Sequence, residues 1–341
     1  MKIALYSPNY PPVKCGVGDF TFCLAGALKN SGHEVEVYSG VQLKGVLPFQ
    51  AESEALIQYT PYLFPSLKSC FGIFKKHRGR ASIFFHELYF PPSWSIRGIA
   101  IGVPHWCRFL VLLHFSKQAI FSTAGFHSTW SKRLPYLKQK MFWVPVGSTI
   151  PIAGGAIQTS SPEISLVHFG GAHPTHLYEF VFRAFREACQ FFGDDQVRLD
   201  LIGVVKGQFP HVSGHPGIHF HGYVDSILVS QKIRSATLIL APFLDGATTR
   251  RSTLMCALSH GKPVVTTLSD GPDSKSTPWA QSVATTSMQS AEAEADYARQ
   301  VLVWLKAPEA ERNALSIRAK QFYEQNFTWD RIAQRLLKIL E

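Results

Sequence analysis

The sequence predicts an α/β protein built from two doubly wound, parallel-sheet domains in tandem. Three observations carry that prediction. The chain has 341 residues, too many for one ordinary core and suited to two. Its two halves repeat one strand–loop–helix plan. A stretch without periodicity, rich in Gly, Ser and Thr, separates them at residues 150–163, "IPIAGGAIQTSSPE". The expected domains are residues 1–150 and 151–341, from which the closing helix can pack back on the first domain.

The elements follow in order. "KIALYS" is a short β-rich run, followed by the Pro/Gly loop "PNYPPVKCGVGD". "FTFCLAGALKNSG" has helical periodicity and closes on Gly32, and "HEVEVYS" reads as the next strand. This β-loop-α-β unit starts a doubly wound sheet, with further strands expected at "ALIQY", "ASIFFHE", "QAIFST" and "KMFWVPV". In the second half "ISLVHFG" is a strand, "GAHPTH" a loop and "LYEFVFRAFREACQFF" an amphipathic helix. "RLDLIGV", "GIHFHGYV", "TLILAPF" and "PVVTT" are strands, and "FTWDRIAQRLLKIL" is the closing amphipathic helix. Ligands in such sheets bind at the carboxyl ends of the strands, and the two domains are expected to face one another across a cleft.

Composition narrows the function classes. A chain with 46% hydrophobic and 17% charged residues is expected to be folded and soluble. "MKIALYSP" runs straight into a strand, so no secretory signal is expected. The six cysteines lack C-x-x-C spacing and read as reduced thiols of a cytosolic protein, without a zinc site. Charge is uneven: residues 1–150 hold 16 Lys and Arg against 6 Asp and Glu, whereas residues 151–341 hold 18 against 18. A polyanionic partner of the first half is one reading, and a basic domain without one is the other. No nucleic-acid module accompanies the charge, so no nucleic acid is expected. "LKSCFGIFKKHRGR" mixes Lys68, Lys75, Lys76, Arg78 and Arg80 with Phe71 and Phe74, which suits an anionic bilayer surface. The apolar run at 96–117 contains Pro104, His105 and Arg108, against a membrane-spanning helix; membrane contact and a buried core helix both remain open.

The stretch with most chemistry is "DGATTRRSTLMCALSHGKP", residues 245–263. Arg250 and Arg251 stand where a strand's carboxyl end leads into a helix that Ser252 or Thr249 can cap and Gly261 can end. A helix N-terminus presents unpaired N–H groups, and guanidinium donors match phosphate oxygens, so a diphosphate is expected here. The alternatives are a solvated cationic loop, or arginines paired with Asp245 and a neighbouring acid.

"GHEVEVYSG", "VPVGSTIP", "SHGKPVVTT" and the closing "FTWDRIA", in that order and spacing, resemble the GT-B fold glycosyltransferases. The resemblance covers nearly the whole chain, two Rossmann-like domains, and is strongest to family 4, retaining enzymes that use nucleotide-sugar donors. It implies that Gly16, Val17, Gly18 and Asp19 form a glycine-rich loop against the donor. It places His86, beside Glu87, near the transferred sugar, although the residue alone reads as a buried structural histidine. Gly170, Gly171 and His176 belong to the first loop of the second domain, where the family carries an Arg and a Lys for the diphosphate. Asp245 and Gly246 resemble the family's first Glu-Gly pair, with Thr249 and Ser252 also expected at the donor.

The pattern also breaks. The family's second glutamate, which holds the ribose, falls on Thr253 or Cys256, so ribose recognition passes to Asp270 or Asp273, or weakens. Two fixed cations are missing from one loop and two appear in another. Arg250 and Arg251 are therefore expected to bind the diphosphate and to act catalytically with His86 and Asp245. The implied activity is hexosyl transfer to a glycan or lipid-linked acceptor in cell-surface polysaccharide synthesis, at the cytoplasmic face of a membrane. No cofactor beyond the nucleotide sugar and no metal is implied. A non-catalytic nucleotide-sugar-binding subunit and a sugar-nucleotide epimerase of the same fold are the alternatives.

Overall fold

A computed structural model describes residues 1–40, 53–61, 63, 67–88, 95–155 and 164–341 of the chain. It divides into two compact units, Met1–Thr149 with Trp329–Glu341, and Ile150–Thr328. Of the expected interdomain stretch, residues 156–163 lie outside the described residues.

The first unit contains β1 (Lys2–Ser7), α1 (Gly16–Asn30), β2 (Glu34–Ser39), β3 (Glu54–Tyr59), α2 (Leu67–Lys76), β4 (Ala81–Phe85), α3 (Ile96–Phe115), β5 (Ala119–Phe121), α4 (Ala124–Arg133) and β6 (Met141–Trp143). Among the described residues these strands form one parallel sheet, ordered β2-β1-β3-β4-β5-β6. Strands covered on both faces read as continuous apolar runs, and Ala55–Ile57 and Ile83–Phe85 are accordingly buried without alternation.

The second unit contains β7 (Ile164–Phe169), α5 (Tyr178–Phe192), β8 (Val197–Ile202), β9 (Ile218–Gly222), α6 (Ser226–Ser235), β10 (Leu238–Ala241), α7 (Ser252–Ser259), β11 (Val264–Leu268), α8 (Pro272–Lys275), β12 (Ala284–Ser287), α9 (Ala293–Lys306) and α10 (Glu309–Asn326). Its parallel sheet runs β12-β11-β10-β7-β8-β9. The chain leaves β7 toward one edge and β10 toward the other. The crevice for a ligand therefore opens at the carboxyl ends of those two neighbouring strands.

One expectation needs correction, and one strand went unannounced. The last helix, α11 (Trp329–Leu340), belongs to the first unit. Trp329 packs on Phe20 at 5.2 Å between ring centroids and donates from Nε1 to the Ser148 carbonyl at 2.7 Å. Strand β12, "ATTS", has no apolar run to announce it; it pairs along β11 from Val265 to Leu268. The expected loop at Lys14–Asp19 is helical from Gly16 onward, so Gly16, Val17, Gly18 and Asp19 are the first turn of α1.

Candidate active site

Two loops meet at the switch point of the second unit, residues 170–177 after β7 and 242–251 after β10. The adjacency of the strands brings them together, and backbone hydrogen bonds lock them. Leu177 N–H donates to the Pro242 carbonyl at 3.2 Å, and Leu244 N–H to the Thr175 carbonyl at 2.9 Å. His176 and Phe243 form an isolated antiparallel bridge between them.

Arg250 and Arg251 both pair with Asp245. Arg250 Nη2 lies 2.7 Å from Asp245 Oδ2, and Arg251 Nη2 binds Asp245 Oδ1. Of the alternatives open in the sequence, pairing with Asp245 is the contact present. Arg251 also donates to Thr175 Oγ1 at 2.9 Å and lies over the Phe243 ring, 4.7 Å from its centroid. Burial pushes the Asp245 carboxyl up, but the Arg251 and Arg250 guanidiniums outweigh it and hold it below its ordinary value. Two guanidiniums share one carboxylate, which leaves one net positive charge in this trio at the mouth of α7. Arg251 itself occupies the cap position, with no side-chain cap bond; Ser252 is the first helical residue, and Thr249 is buried in the loop. Neither therefore caps α7 as expected.

Gly246 turns this loop. Its φ is +74°, and a Cβ there would come within 2.6 Å of Ser269 N and Ser274 Oγ. Ser269 Oγ donates to the Asp245 carbonyl at 2.7 Å, so the β11–α8 connection braces the loop.

His176 stands where the resemblance implies a lysine, and it cannot replace that charge. His168 Nδ1 lies 2.7 Å from the Leu240 carbonyl and must donate to it, which leaves Nε2 as an acceptor. His176 Nδ1, 3.2 Å away, supplies that proton, so the neutral His176 keeps a bare Nε2. Burial, with His168, Arg251 and His173 nearby, lowers His176 to about 2; burial lowers His168 to about 4 despite the Leu240 bond. Gly170 makes room for the ring: a Cβ at this position, φ +156°, would lie 2.2 Å from His176 Cε1. Gly171 approaches Tyr223 Oη, and both glycine carbonyls accept from Tyr178 Oη at 2.9 and 3.1 Å.

In the first unit, α1 starts beside the carboxyl end of β1. The reason for glycine there is closeness and not positive φ. A Cβ on Gly18 would lie 3.0 Å from the Asn9 carbonyl oxygen, whereas one on Gly16 would meet nothing within 4 Å. Burial raises the Asp19 carboxyl above its usual value. His86 follows β4 and is 8% exposed. Its Nε2 donates to Gln58 Oε1 at 2.8 Å, and its ring packs edge-on against Phe20 at 4.7 Å. Burial lowers it to about 3, so it is a neutral group whose Nδ1 carries the lone pair.

The two carboxylates suggested for ribose recognition differ in position. Asp270 lines a cleft of about 450 Å³ with Leu268, Ser269, Lys275 and Trp279, and pairs with Lys275 at 2.6 Å. Asp273 is not among the lining residues. The alternative positions for the missing glutamate are on α7, where Cys256 is fully buried. One group could hold a cation among the described residues: Cys189, Asp194 and His215, with ligand atoms within 4.8 Å of one another. It lies at the carboxyl end of α5, away from the loops above, and His215 Nδ1 already accepts from Gly217 N–H.

No protein-family model and no curated protein sequence matches the chain. Solved structures do. A sucrose-phosphate synthase from Thermosynechococcus elongatus aligns at a TM-score of 0.76 and 14% identity, covering 99% of this chain and 98% of its own. A UDP-forming α,α-trehalose-phosphate synthase from Burkholderia xenovorans, in complex with glucose-6-phosphate, aligns at 0.69 and 13%, covering 100% of both chains. An Anabaena protein in complex with UDP-glucose aligns at 0.67 and 14%, covering 100% and 99%. The fold is GT-B. Identities this low establish the GT-B architecture alone, and the chemistry rests on the site.

Sequence reasoning missed four participants: Thr175 and Phe243, which hold Arg251, His168, which fixes the tautomer of His176, and Ser269. Each acts through a neighbour on another strand or loop, so no local motif marks it.

Proposed function

We propose that the chain is a retaining glycosyltransferase that moves a sugar from a nucleotide-diphosphate donor to a glycan or lipid-linked acceptor. The observation that carries this reading is the Asp245–Arg250–Arg251 trio at the switch point of a GT-B sheet. The donor diphosphate binds the two guanidiniums and the adjoining α7 N-terminus. As the bond from the sugar's anomeric carbon to the diphosphate oxygen breaks, charge grows on that oxygen, and the arginines stabilise it. The acceptor hydroxyl attacks the same face and passes its proton to the departing diphosphate. Asp245 positions both guanidiniums. In the second unit, neutral His176 offers a lone pair to a ligand hydroxyl and adds no charge to the leaving group; in the first unit, neutral His86 has a lone pair of its own to offer a sugar hydroxyl. This activity fits polysaccharide assembly at the cytoplasmic face of a membrane, with no cofactor beyond the sugar nucleotide.

A second reading is a nucleotide-sugar-binding subunit without turnover. The observation favouring it is the missing second carboxylate, since neither Thr253 nor fully buried Cys256 can hold a ribose as a glutamate does.

Calorimetric titration of UDP-, GDP- and ADP-sugars into wild type and the Arg250→Ala/Arg251→Ala variant separates the readings, with free nucleotide measured in parallel. Binding lost in the variant, together with acceptor-dependent nucleotide release, supports the transferase. Binding without release supports the subunit, and epimerised donor without release supports an epimerase. Full affinity and turnover in the double variant would overturn the role given to the arginines.

A further inference from the structure

The third helix of the first unit is anchored at one end and bare at the other. Phe109, Leu112 and Leu113, in the carboxyl-terminal half of α3, are fully buried against the sheet. Toward the amino end the apolar side chains face solvent: Ile96 is 90% exposed, Ile99 45%, Val103 46% and Trp106 41%. Spacings of three, four and three residues place these four on one face of the helix. Over Gly98–Phe115 the helix is apolar and long enough to cross a membrane, yet 22% of that window is buried. A helix whose final turns belong to a folded core is not free to span a bilayer, while its first three turns, about 16 Å, are free to lie on one.

Charge identifies the covering surface. From residue 55 to residue 150 the chain carries twelve Lys and Arg and a single acid, Glu87. Phe71 of α2 packs against Phe115 of α3 at 5.3 Å between ring centroids, joining the two helices. Exposed Lys68, Lys75, Arg78 and Arg80 lie on α2 and in the turn that follows it. A soluble polyanion would account for the cations and leave the apolar stripe unexplained. A protein groove would account for the stripe and not for a hundred-residue stretch almost without acids. An anionic bilayer satisfies both, with apolar side chains at the headgroup–acyl boundary and cations over the headgroups.

We propose that the amino-terminal half of α3, flanked by the cations of α2 and its following turn, docks this protein on an anionic lipid bilayer. The surface stands on its own, whatever the site of the second unit catalyses.

The test is co-sedimentation with phosphatidylcholine vesicles and with phosphatidylglycerol/phosphatidylcholine vesicles, at low and high salt. The wild type is expected on the anionic vesicles, with binding weakened by salt. Ile99→Ser/Val103→Ser/Trp106→Ser should reduce partitioning by about 100-fold or more. Lys68→Ser/Lys75→Ser/Arg78→Ser/Arg80→Ser should reduce it comparably and remove most of the salt dependence. The apolar triple variant changes only exposed side chains, so its melting temperature should match wild type; Ile99→Ser alone serves if it does not. Failure of the wild type to bind anionic vesicles overturns the proposal. So does equal binding to both vesicle types, or wild-type binding by the apolar triple variant. A wild-type oligomer that the triple variant dissociates, with no vesicle binding, would assign the stripe to a second copy of the chain instead.

Discussion

Asp245 and Arg251 are ion partners within one loop, and Asp245 also takes Arg250, so the diphosphate proposed to bind here would meet guanidiniums that already hold an anion. The carboxylate thus orders the arginines and competes with the ligand. Removing its charge should separate those effects. Asp245→Asn is expected to tighten a free nucleoside diphosphate by about tenfold, since losing one nearby opposing charge is worth about 1–2 kcal/mol at a partly exposed site. Turnover should fall in the same variant, because asparagine keeps one acceptor oxygen and the arginine facing its NH2 loses the partner that fixes its direction. Titration calorimetry and initial rates measure the two sides. Weaker nucleotide binding in Asp245→Asn would show that the carboxylate only organises the loop.

Arg251 is the more enclosed of the two arginines, its side chain 12% exposed against 22% for Arg250, and it reaches Thr175 Oγ1 and the Phe243 ring as well as Asp245. Arg251→Ala is therefore expected to cost more turnover than Arg250→Ala, by about 3–4 kcal/mol against wild type if it meets the developing charge. Arg251→Lys should recover little, because an ammonium cannot bond Asp245 and Thr175 in one plane. Equal rates for the two alanine variants would contradict this ranking.

The paired histidines make the second unit sensitive to mild acid. His168 is lowered to about 4 in the fold, from an ordinary value near 6.5. Between those values the unfolded chain binds the proton and the folded chain does not. Stability is therefore complete above about pH 6.5 and falls as the pH drops toward 4, by roughly 2 kcal/mol at pH 5 from His168 alone. Asp245 and Asp200 do not oppose this within the window, because both are held below the ordinary carboxylate range. Urea unfolding at pH 7 and pH 5 should show the loss, reduced in His168→Gln. A midpoint unchanged between those pH values would refute it.

Much of this was legible in the sequence, for identifiable reasons. Strands such as Ala55–Ile57 and Ile83–Phe85 announce themselves because a parallel sheet covered on both faces favours unbroken apolar runs. The edge strand Ala284–Ser287 carries no such requirement and left no signal. The Arg250–Arg251 pair was visible as chemistry, but its partner was ambiguous, because Asp245 becomes a bidentate neighbour only once Gly246 reverses the chain. His176 was legible as a lost cation. That His168 fixes its tautomer was not, since the two meet only when residue 176 folds back over Gly170.

Asp200 offers a stability test outside the contacts of the Asp245 loop. Its carboxylate is fully buried on β8, between Arg198 at 2.9 Å, His221 at 2.6 Å and Lys232 at 3.0 Å. Burial alone would raise this acid, but the His221 and Lys232 hydrogen bonds, with the Lys232 and Arg198 charges, hold it well below the usual range. Asp200→Asn would leave those cations without their shared counter-charge, at a cost of about 3–5 kcal/mol. A circular-dichroism melt that moved by less than a degree would mean that solvent already screens the cluster.

Gly246 is where the loop's shape and the site's charge depend on one residue. Its φ of +74° is costly for any side chain, and the two atoms nearest a new Cβ are a backbone nitrogen and a hydroxyl, each at 2.6 Å. The nitrogen belongs to Ser269, whose hydroxyl also holds the Asp245 carbonyl, so the clash displaces the residue that braces the carboxylate. Gly246→Ala is expected to destabilise the second unit by about 3 kcal/mol, combining left-handed strain with overpacking. That corresponds to a fall in melting temperature of roughly 6–12 °C. Nucleotide-sugar affinity should fall as well, measured at a temperature where the variant remains folded. Loss of stability with unchanged affinity would separate the turn from the arginines and place the diphosphate elsewhere.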